Sequence, residues 1–454
     1  MEQNLNLEKK FDVEKIIYII ILTVMILIPL LKLSTYIPAI ERFYITTFEI
    51  KRVYVLWISI FFLLSTYLYS ITSQKEKIGL TDILIYILII LAFFSTKYAI
   101  NFQKAFLGES YRYEGLLTIL SYYFLFLNTK SIKEEKYKKN IINLFIAIGI
   151  FQALYGIMQT YTEFTFIRRH ASNHMAMGLC SNPNFFGSYM VMQLLIVGYM
   201  YIYNPKKSYL IMYILFGIAL YIALSTGPSL SAIVALIFSI FIIPKKFKKI
   251  MKLTIVLILS FILANLSLKA VQTSELKKQV IKSQGIVSEI TTITQRPKET
   301  IGSGRLVVWE NSIPLVKKYW LIGCGLDNFK NAYPNSGPLK YDKAHNVYLQ
   351  IAVTNGLPAL IIFLILLFIA LIKGMKLKNG FITPIYMAFI GYSIQAFFNI
   401  SVIDVAPYYY IILGIILSKS EEEILNKNDN NNEKKIKIFS KKASKFMDKK
   451  YSEI

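Results

Sequence analysis

Three histidines occur in this sequence, His170, His174 and His345. The last of them, in Ala344-His345-Asn346, closes the one long hydrophilic connection of an otherwise apolar chain. An imidazole titrates near neutral pH, so at a membrane–water boundary it can take or give a proton. Taken alone, His345 is either such a group or a histidine satisfied at an interface. Arg305 lies in the same connection, with Trp309 and Ile313 at helical spacing behind it, and Ser303-Gly304 ahead can start that helix. A cation in a first helical turn opposes the helix dipole, which an anionic ligand held by both would reconcile. The other reading is a surface arginine pairing with a carboxylate or a lipid phosphate. Arg168-Arg169, in an earlier connection, has the same two readings: an anchor to headgroups, or a planar clamp on a diphosphate.

The elements that must hold these groups are membrane spans. Of 454 residues 55% are hydrophobic and only 17% charged, and the mean hydropathy is +0.48. So little charge cannot cover a soluble domain, so the chain reads as an all-α polytopic membrane protein. Apolar runs long enough for a hydrocarbon core of about 30 Å give about 12 transmembrane helices. They lie near 16–33, 53–72, 80–96, 114–128, 141–158, 183–203, 209–226, 229–243, 253–271, 346–372, 385–403 and 407–418. The first is too long, and too poor in small cleavage-site residues, for a removed signal peptide, and reads as an anchor. The organisation expected is residues 1–271 as spans 1–9, 272–345 as a long extracytoplasmic loop with short helices, 346–418 as spans 10–12, and 419–454 as a basic cytoplasmic tail.

Positive charge sets the orientation. Lys9, Lys10 and Lys15 precede the first span, and Lys75/Lys77, Lys136/Lys138/Lys139, Lys206/Lys207, Lys245 to Lys252 and Lys373/Lys376/Lys378 recur at alternate connections. By the positive-inside rule these are cytoplasmic, with both termini inside and residues 272–345 outside. The net charge of +24 is mostly this asymmetry; no soluble basic face exists for nucleic acid. In the tail, lysines from Lys434 to Lys450 alternate with Ile436, Ile438, Phe439, Phe446 and Met447, as a solvated segment or an amphipathic helix on anionic lipid. Cys180 and Cys324 read as two small buried thiols, with a disulfide as the alternative.

Polar residues gather on the expected outer side in three places. They are Glu109 to Gly115, Thr160 to Asn184, and the long loop with Arg305, Trp309 and Gly323-Cys324-Gly325-Leu326-Asp327-Asn328-Phe329. The glycines of the last stretch lack the strand-to-helix context of a nucleotide cradle and read as a tight turn. Ser225-Thr226-Gly227-Pro228-Ser229 reads as a turn between spans. Asp82 and Asp404 fall at span ends, where water is expected to reach them.

Taken in order, Arg112-Tyr113-Glu114-Gly115-Leu116, Asn182-Pro183-Asn184-Phe185, Arg305…Trp309…Pro314, Gly323 to Phe329 and Ala344-His345-Asn346-Val347-Tyr348-Leu349 resemble the O-antigen ligase-like membrane family of surface-polysaccharide ligases and polymerases. That resemblance implies about twelve spans, both termini inside, and a long outer loop before the tenth span. It also implies transfer of a glycan from a polyprenyl-diphosphate donor to a hydroxyl on a glycan, lipid or protein acceptor, without metal or other cofactor. The implied catalytic residues are His345 and Arg305, with Arg168, Arg169, Arg112, Asn184, Trp309 and Asn346 as substrate contacts. The sequence departs from the pattern twice. The gap from His170 to Met177 is longer than usual before Asn182-Pro183-Asn184, and Pro228-Ser229-Leu230 stands where relatives commonly carry a serine–arginine pair.

The chemistry suits those residue types. A sugar diphosphate carries a good leaving group, arginines can stabilise the charge that develops on it, and His345 can accept the hydroxyl proton. Outer tyrosines and tryptophans would stack on sugars or form an interfacial belt. The competing class is a twelve-span transporter or flippase of lipid-linked glycans. The scarcity of carboxylates within spans and the absence of an evident repeat argue against it. A structural scaffold in an envelope assembly is a third class. The expected location is the cell membrane, multi-pass, with the active site on the extracytoplasmic side.

Overall fold

Uncharged runs of isoleucine, leucine and phenylalanine leave the backbone no partner in lipid but itself, and helices follow. The computed structural model describes residues 12–33, 44–73, 77–110, 112–162, 175–271, 304–333, 341–377 and 380–418. Arg168, Arg169, His170, His174, the first part of the long loop and the basic tail lie outside these residues. Among the described residues ten α-helices precede the long loop: α1 Val13–Leu33, α2 Tyr44–Thr72, α3 Leu80–Lys97, α4 Phe102–Leu107, α5 Leu116–Ser131, α6 Glu135–Tyr161, α7 Pro183–Tyr203, α8 Lys207–Ile222, α9 Thr226–Ile242 and α10 Phe247–Val271. In and after the loop come α11 Arg305–Lys318, α12 Phe329–Ala332, α13 Val347–Thr354, α14 Leu357–Lys376, α15 Ile382–Gln395 and α16 Ala406–Leu417.

Among the described residues seven helices, α1, α2, α3, α6, α7, α10 and α14, are long and apolar enough to cross a bilayer. Their outward faces carry Phe61, Phe93, Ile255, Leu259 and Phe368, all exposed. At roughly 25 cal/mol per Å² such a surface is unfavourable in water, and here it faces the lipid of a multi-pass membrane protein. The interior is built on α7, which has no charged residue and is buried over most of its length. Its Gln193 donates to Phe145 O (2.8 Å). Gly391 of α15 packs so close to Leu195 of α7 that no Cβ would fit between them.

The connections sort to two ends. At one, lysines bind helix C-termini: Lys249 donates to Ile202 O (2.8 Å) and Lys373 to Ser418 O (2.6 Å). There the last-turn carbonyls are orphaned and the helix dipole favours a cation. Lys130 pairs with Asp82 (2.6 Å) at the same end. The connections 98–115, 175–182, 319–333, 341–346 and 396–405 meet at the other end.

Several expectations change. The segment expected as the tenth span is two helices, α13 and α14, interrupted at Asn355-Gly356, and only α14 is long enough to cross a bilayer. The orphaned carbonyls of α13 take amides from the glycine-rich turn: Cys324 N to Val353 O (2.9 Å) and Gly325 N to Thr354 O (3.1 Å). Gly323 and Gly356 both have positive φ (78° and 87°) and stand where a Cβ would strike the opposing backbone. Gly323→Ala should therefore cost about 1–3 kcal/mol through strain and displacement, seen as earlier loss of folded protein on heating in detergent. The turn after α8 is 223–225, and Thr226-Gly227-Pro228-Ser229 form the first turn of α9 rather than the turn itself.

Asp82 and Asp404 are both buried, Asp82 at the wall of an open pocket beside Lys130 and Asp404 in the interior. Asp404 is paired with Arg52, itself 1% exposed, and accepts from Ser181 N (3.0 Å). Arg52 also donates to Ile28 O (2.9 Å). Burial of a carboxylate requires that compensation, and the sequence separation of its partner hid it. The two cysteines are buried thiols not joined to each other, and burial pushes the Cys324 thiol up to about 12.

Candidate active site

Arg305 opens α11 directly after Gly304, whose left-handed φ of 80° turns the chain into the helix. The buried face of α11, Val308, Ser312 and Leu315, forms a small separate core with Cys324, Phe329, Tyr333, Ala344 and Val353. This core holds the neighbour of the key histidine. The indole N–H of Trp309 donates to Ala344 O (3.1 Å), and Ala344 N donates to Gln350 Oε1 (2.9 Å). Asn346 caps α13, its side chain accepting from Leu349 N (3.0 Å), and Val347 N reaches Ala396 O (2.8 Å). His345 sits between these fixed points with φ 49°, a left-handed conformation uncommon outside glycine and asparagine.

The histidine is partly buried, its ring edge-to-face with Tyr341 (centroids 6.5 Å). Burial and the nearby guanidinium groups of Arg305 and Arg112, helped by Lys343 and opposed by Asp342, push its pKa down to about 4. The imidazole is therefore neutral at physiological pH and can accept a proton. Arg112 comes from the connection between α4 and α5. It pairs with Asp342 (3.1 Å) and lies over the ring of Phe185 at the start of α7 (6.0 Å). Two arginines from distant parts of the chain thus converge on one imidazole. A site so arranged can hold an anion beside a base.

The long-loop core is clamped to the bundle by a reciprocal pair. Asn101 N donates to Asn328 Oδ1 and Asn328 Nδ2 to Asn101 O, both 3.0 Å. Beside it Asp327 is buried with Lys343 as its ion-pair partner, and Glu114 is buried with Tyr122 OH (3.1 Å) and Ile403 N (3.1 Å) as donors.

His345, Arg305, Arg112, Trp309 and Asn346 are brought together. Trp309 and Asn346 spend their polar groups on the backbone around His345. Asn184 is placed differently: its side-chain oxygen accepts from Ser225 OH and so joins α7 to the start of α9. Phe185 is the residue through which α7 reaches the site. Arg168 and Arg169 lie outside the described residues. Asp327, Asp342, Lys343 and Tyr341 were missed by the sequence reading. The available signal was a dense run of polar residues before Ala344-His345, and an aspartate in a turn of glycines. Among the described residues no group of three or more His, Cys, Asp or Glu side chains could hold a metal ion.

Residues 211–364 match a family model described as O-antigen ligase. The match runs from α8 into α14 and includes Arg305, Asp327 and His345, while Arg112 and Asn184 lie before it. No curated protein matches the chain.

Proposed function

We propose that this O-antigen ligase-like membrane protein moves a glycan from a polyprenyl-diphosphate donor to an acceptor hydroxyl on a glycan, lipid or protein. The observation that supports this most is the convergence of Arg305 and Arg112 on the neutral imidazole of His345. The lysine-rich end faces the cytoplasm under the positive-inside rule, so the reaction belongs to the extracytoplasmic side of the cell membrane.

The donor diphosphate sits at the N-terminus of α11, against first-turn amides and the Arg305 guanidinium. Arg112 supplies a second positive charge, and Arg168-Arg169 are the further donor contacts expected. His345 takes the acceptor proton while the acceptor oxygen attacks the anomeric carbon. The bond from that carbon to the diphosphate breaks, and the polyprenyl diphosphate leaves with both electrons. Attack opposite the leaving group inverts the anomeric centre. No general acid is needed for so stable a leaving group, and the arginines stabilise its developing charge.

A base with a pKa of about 4 is weak, and the donor corrects this. A bound diphosphate offsets the repulsion that Arg305 and Arg112 exert on the imidazolium, so protonation becomes easier in the loaded enzyme. Because His345 works when deprotonated, kcat/KM, which follows the free enzyme, should stay level down to about pH 4–5. By contrast, kcat should fall from a higher pH, toward the usual histidine value near 6.5. Steady-state transfer with purified protein and a lipid-linked oligosaccharide over pH 4–8 checks this; coincident acid limbs would contradict it. Arg305→Ala should lower kcat about 100- to 1000-fold and move the acid limb of kcat/KM upward. Transfer that survives this change, or lipid-linked glycan crossing vesicles without transfer, would overturn the reading.

A further inference from the structure

We infer that Asp327 is the positioning residue of this site, a single carboxylate that fastens the segment bearing Arg112 and the segment bearing His345 to one point. The inference rests on His345 being the base proposed above. One carboxylate oxygen, Oδ2, accepts from Glu109 N (2.7 Å) and Glu114 N (3.2 Å), the two amides that bracket Arg112. The other, Oδ1, takes the Lys343 ammonium, two residues before His345. Asp327 and Lys343 are both buried, where a charge-assisted bond meets little competition from water.

Backbone geometry gives the reason such a fastening is needed. Tyr113, Asp327 and His345 have φ of 54°, 53° and 49°, one on each of the three segments that meet here. Non-glycine residues keep this conformation only where their surroundings over-determine it. Packing does not supply all of that constraint, because a cavity of about 90 Å³ lies beside the pair, lined among others by Glu114, Asp327, Lys343 and Gln350. With room on that side, the ion pair limits the travel of Lys343 and hence of His345. The same carboxylate holds Arg112 through its flanking amides, so base and guanidinium keep a fixed separation.

The test is Asp327→Asn, which preserves shape and leaves Arg305 on α11, Arg112 on the α4–α5 connection, and Tyr341, Asp342 and Lys343 on the histidine's own segment. Transfer should lose about 10- to 100-fold in kcat, with donor KM changed less than about threefold, the signature of misplacement. The second reading is the pH dependence of His345 modification by diethylpyrocarbonate, which attacks neutral imidazole, followed on its peptide by mass spectrometry. Removing the Asp327 charge alone would depress His345 further. Release from between the two arginines would raise its midpoint from about 4 toward about 6.5, and this rise is the expected result. A midpoint that stays or falls overturns the inference. Asp327→Asn combined with Lys343→Met removes the uncompensated ammonium and guards against misfolding. Its kcat should remain low, and a return to the unmodified rate would equally overturn the inference. Modification needs no turnover, so a chain without transfer activity but with a rising midpoint would sink the functional reading while still showing that Asp327 holds His345 in place.

Discussion

Replacing His345 by asparagine should lower kcat for glycan transfer about 1000-fold, within the 100- to 10,000-fold span of general-base catalysis. Asparagine is the informative choice because φ at this position is 49°, and asparagine tolerates the left-handed region better than alanine. The backbone bonds of Ala344 and Val347 to Gln350 and Ala396 then stay in place, and only the base is lost. Membrane insertion and heat resistance in detergent should match the unmodified protein, and donor KM should change less than threefold or so. In energy the effect is about 4 kcal/mol of transition-state stabilisation. If KM rose and kcat held, His345 would be a donor contact and the base would lie elsewhere.

The second large effect concerns stability. Asp404→Asn alone leaves the Arg52 guanidinium buried beside the membrane interior with its charge uncompensated, which should cost about 3–5 kcal/mol. Asparagine can still accept from Ser181 N, so the loss reports the charge pair and not the loop bond. Combining it with Arg52→Met removes both charges and should recover most of the stability. The measurement is the fraction of folded protein surviving a temperature series in detergent, with both single variants and the double. If the two single losses simply add in the double, the pair is not coupled. Asp404→Ala, which removes the acceptor of Ser181 N as well, should in addition disturb the site, because Ser181 lies four residues before Phe185, whose ring meets Arg112.

What the sequence made legible has a clear physical boundary. The helical architecture was readable because lipid tolerates only satisfied backbone, so long uncharged runs carry the answer locally. The starts of α11 at Arg305 and of α13 after Asn346 were readable because they are local devices with local signatures, whereas the roles of Arg305 and His345 came only with the family resemblance. The break at Asn355-Gly356 was not. Its carbonyls are satisfied by Cys324 and Gly325, some 30 residues upstream, while locally only Thr354-Asn355-Gly356 and Pro358 interrupt an apolar run. Asp404 was misread for the same reason: nothing near it in sequence announces Arg52. Asp327 and Lys343 are separated by 16 residues and joined only by the closure of the loop core. Each miss is a long-range polar contact, and pattern reading has access to none of these.

The last helix has a consequence for how the protein comes into being. Every residue of α16 is buried, and its twelve residues span only about 18 Å. Gly414 sits against Thr129 of α5, and Tyr410 stacks on Tyr122 of the same helix (5.6 Å). During synthesis α5 must therefore wait, its face unfilled, until nearly 300 more residues have been made. Just before α16, Ile403 supplies the amide that binds Glu114. A ribosome that stops before this point leaves a membrane protein with an open seam along α5 and with Glu114 short of one of its donors.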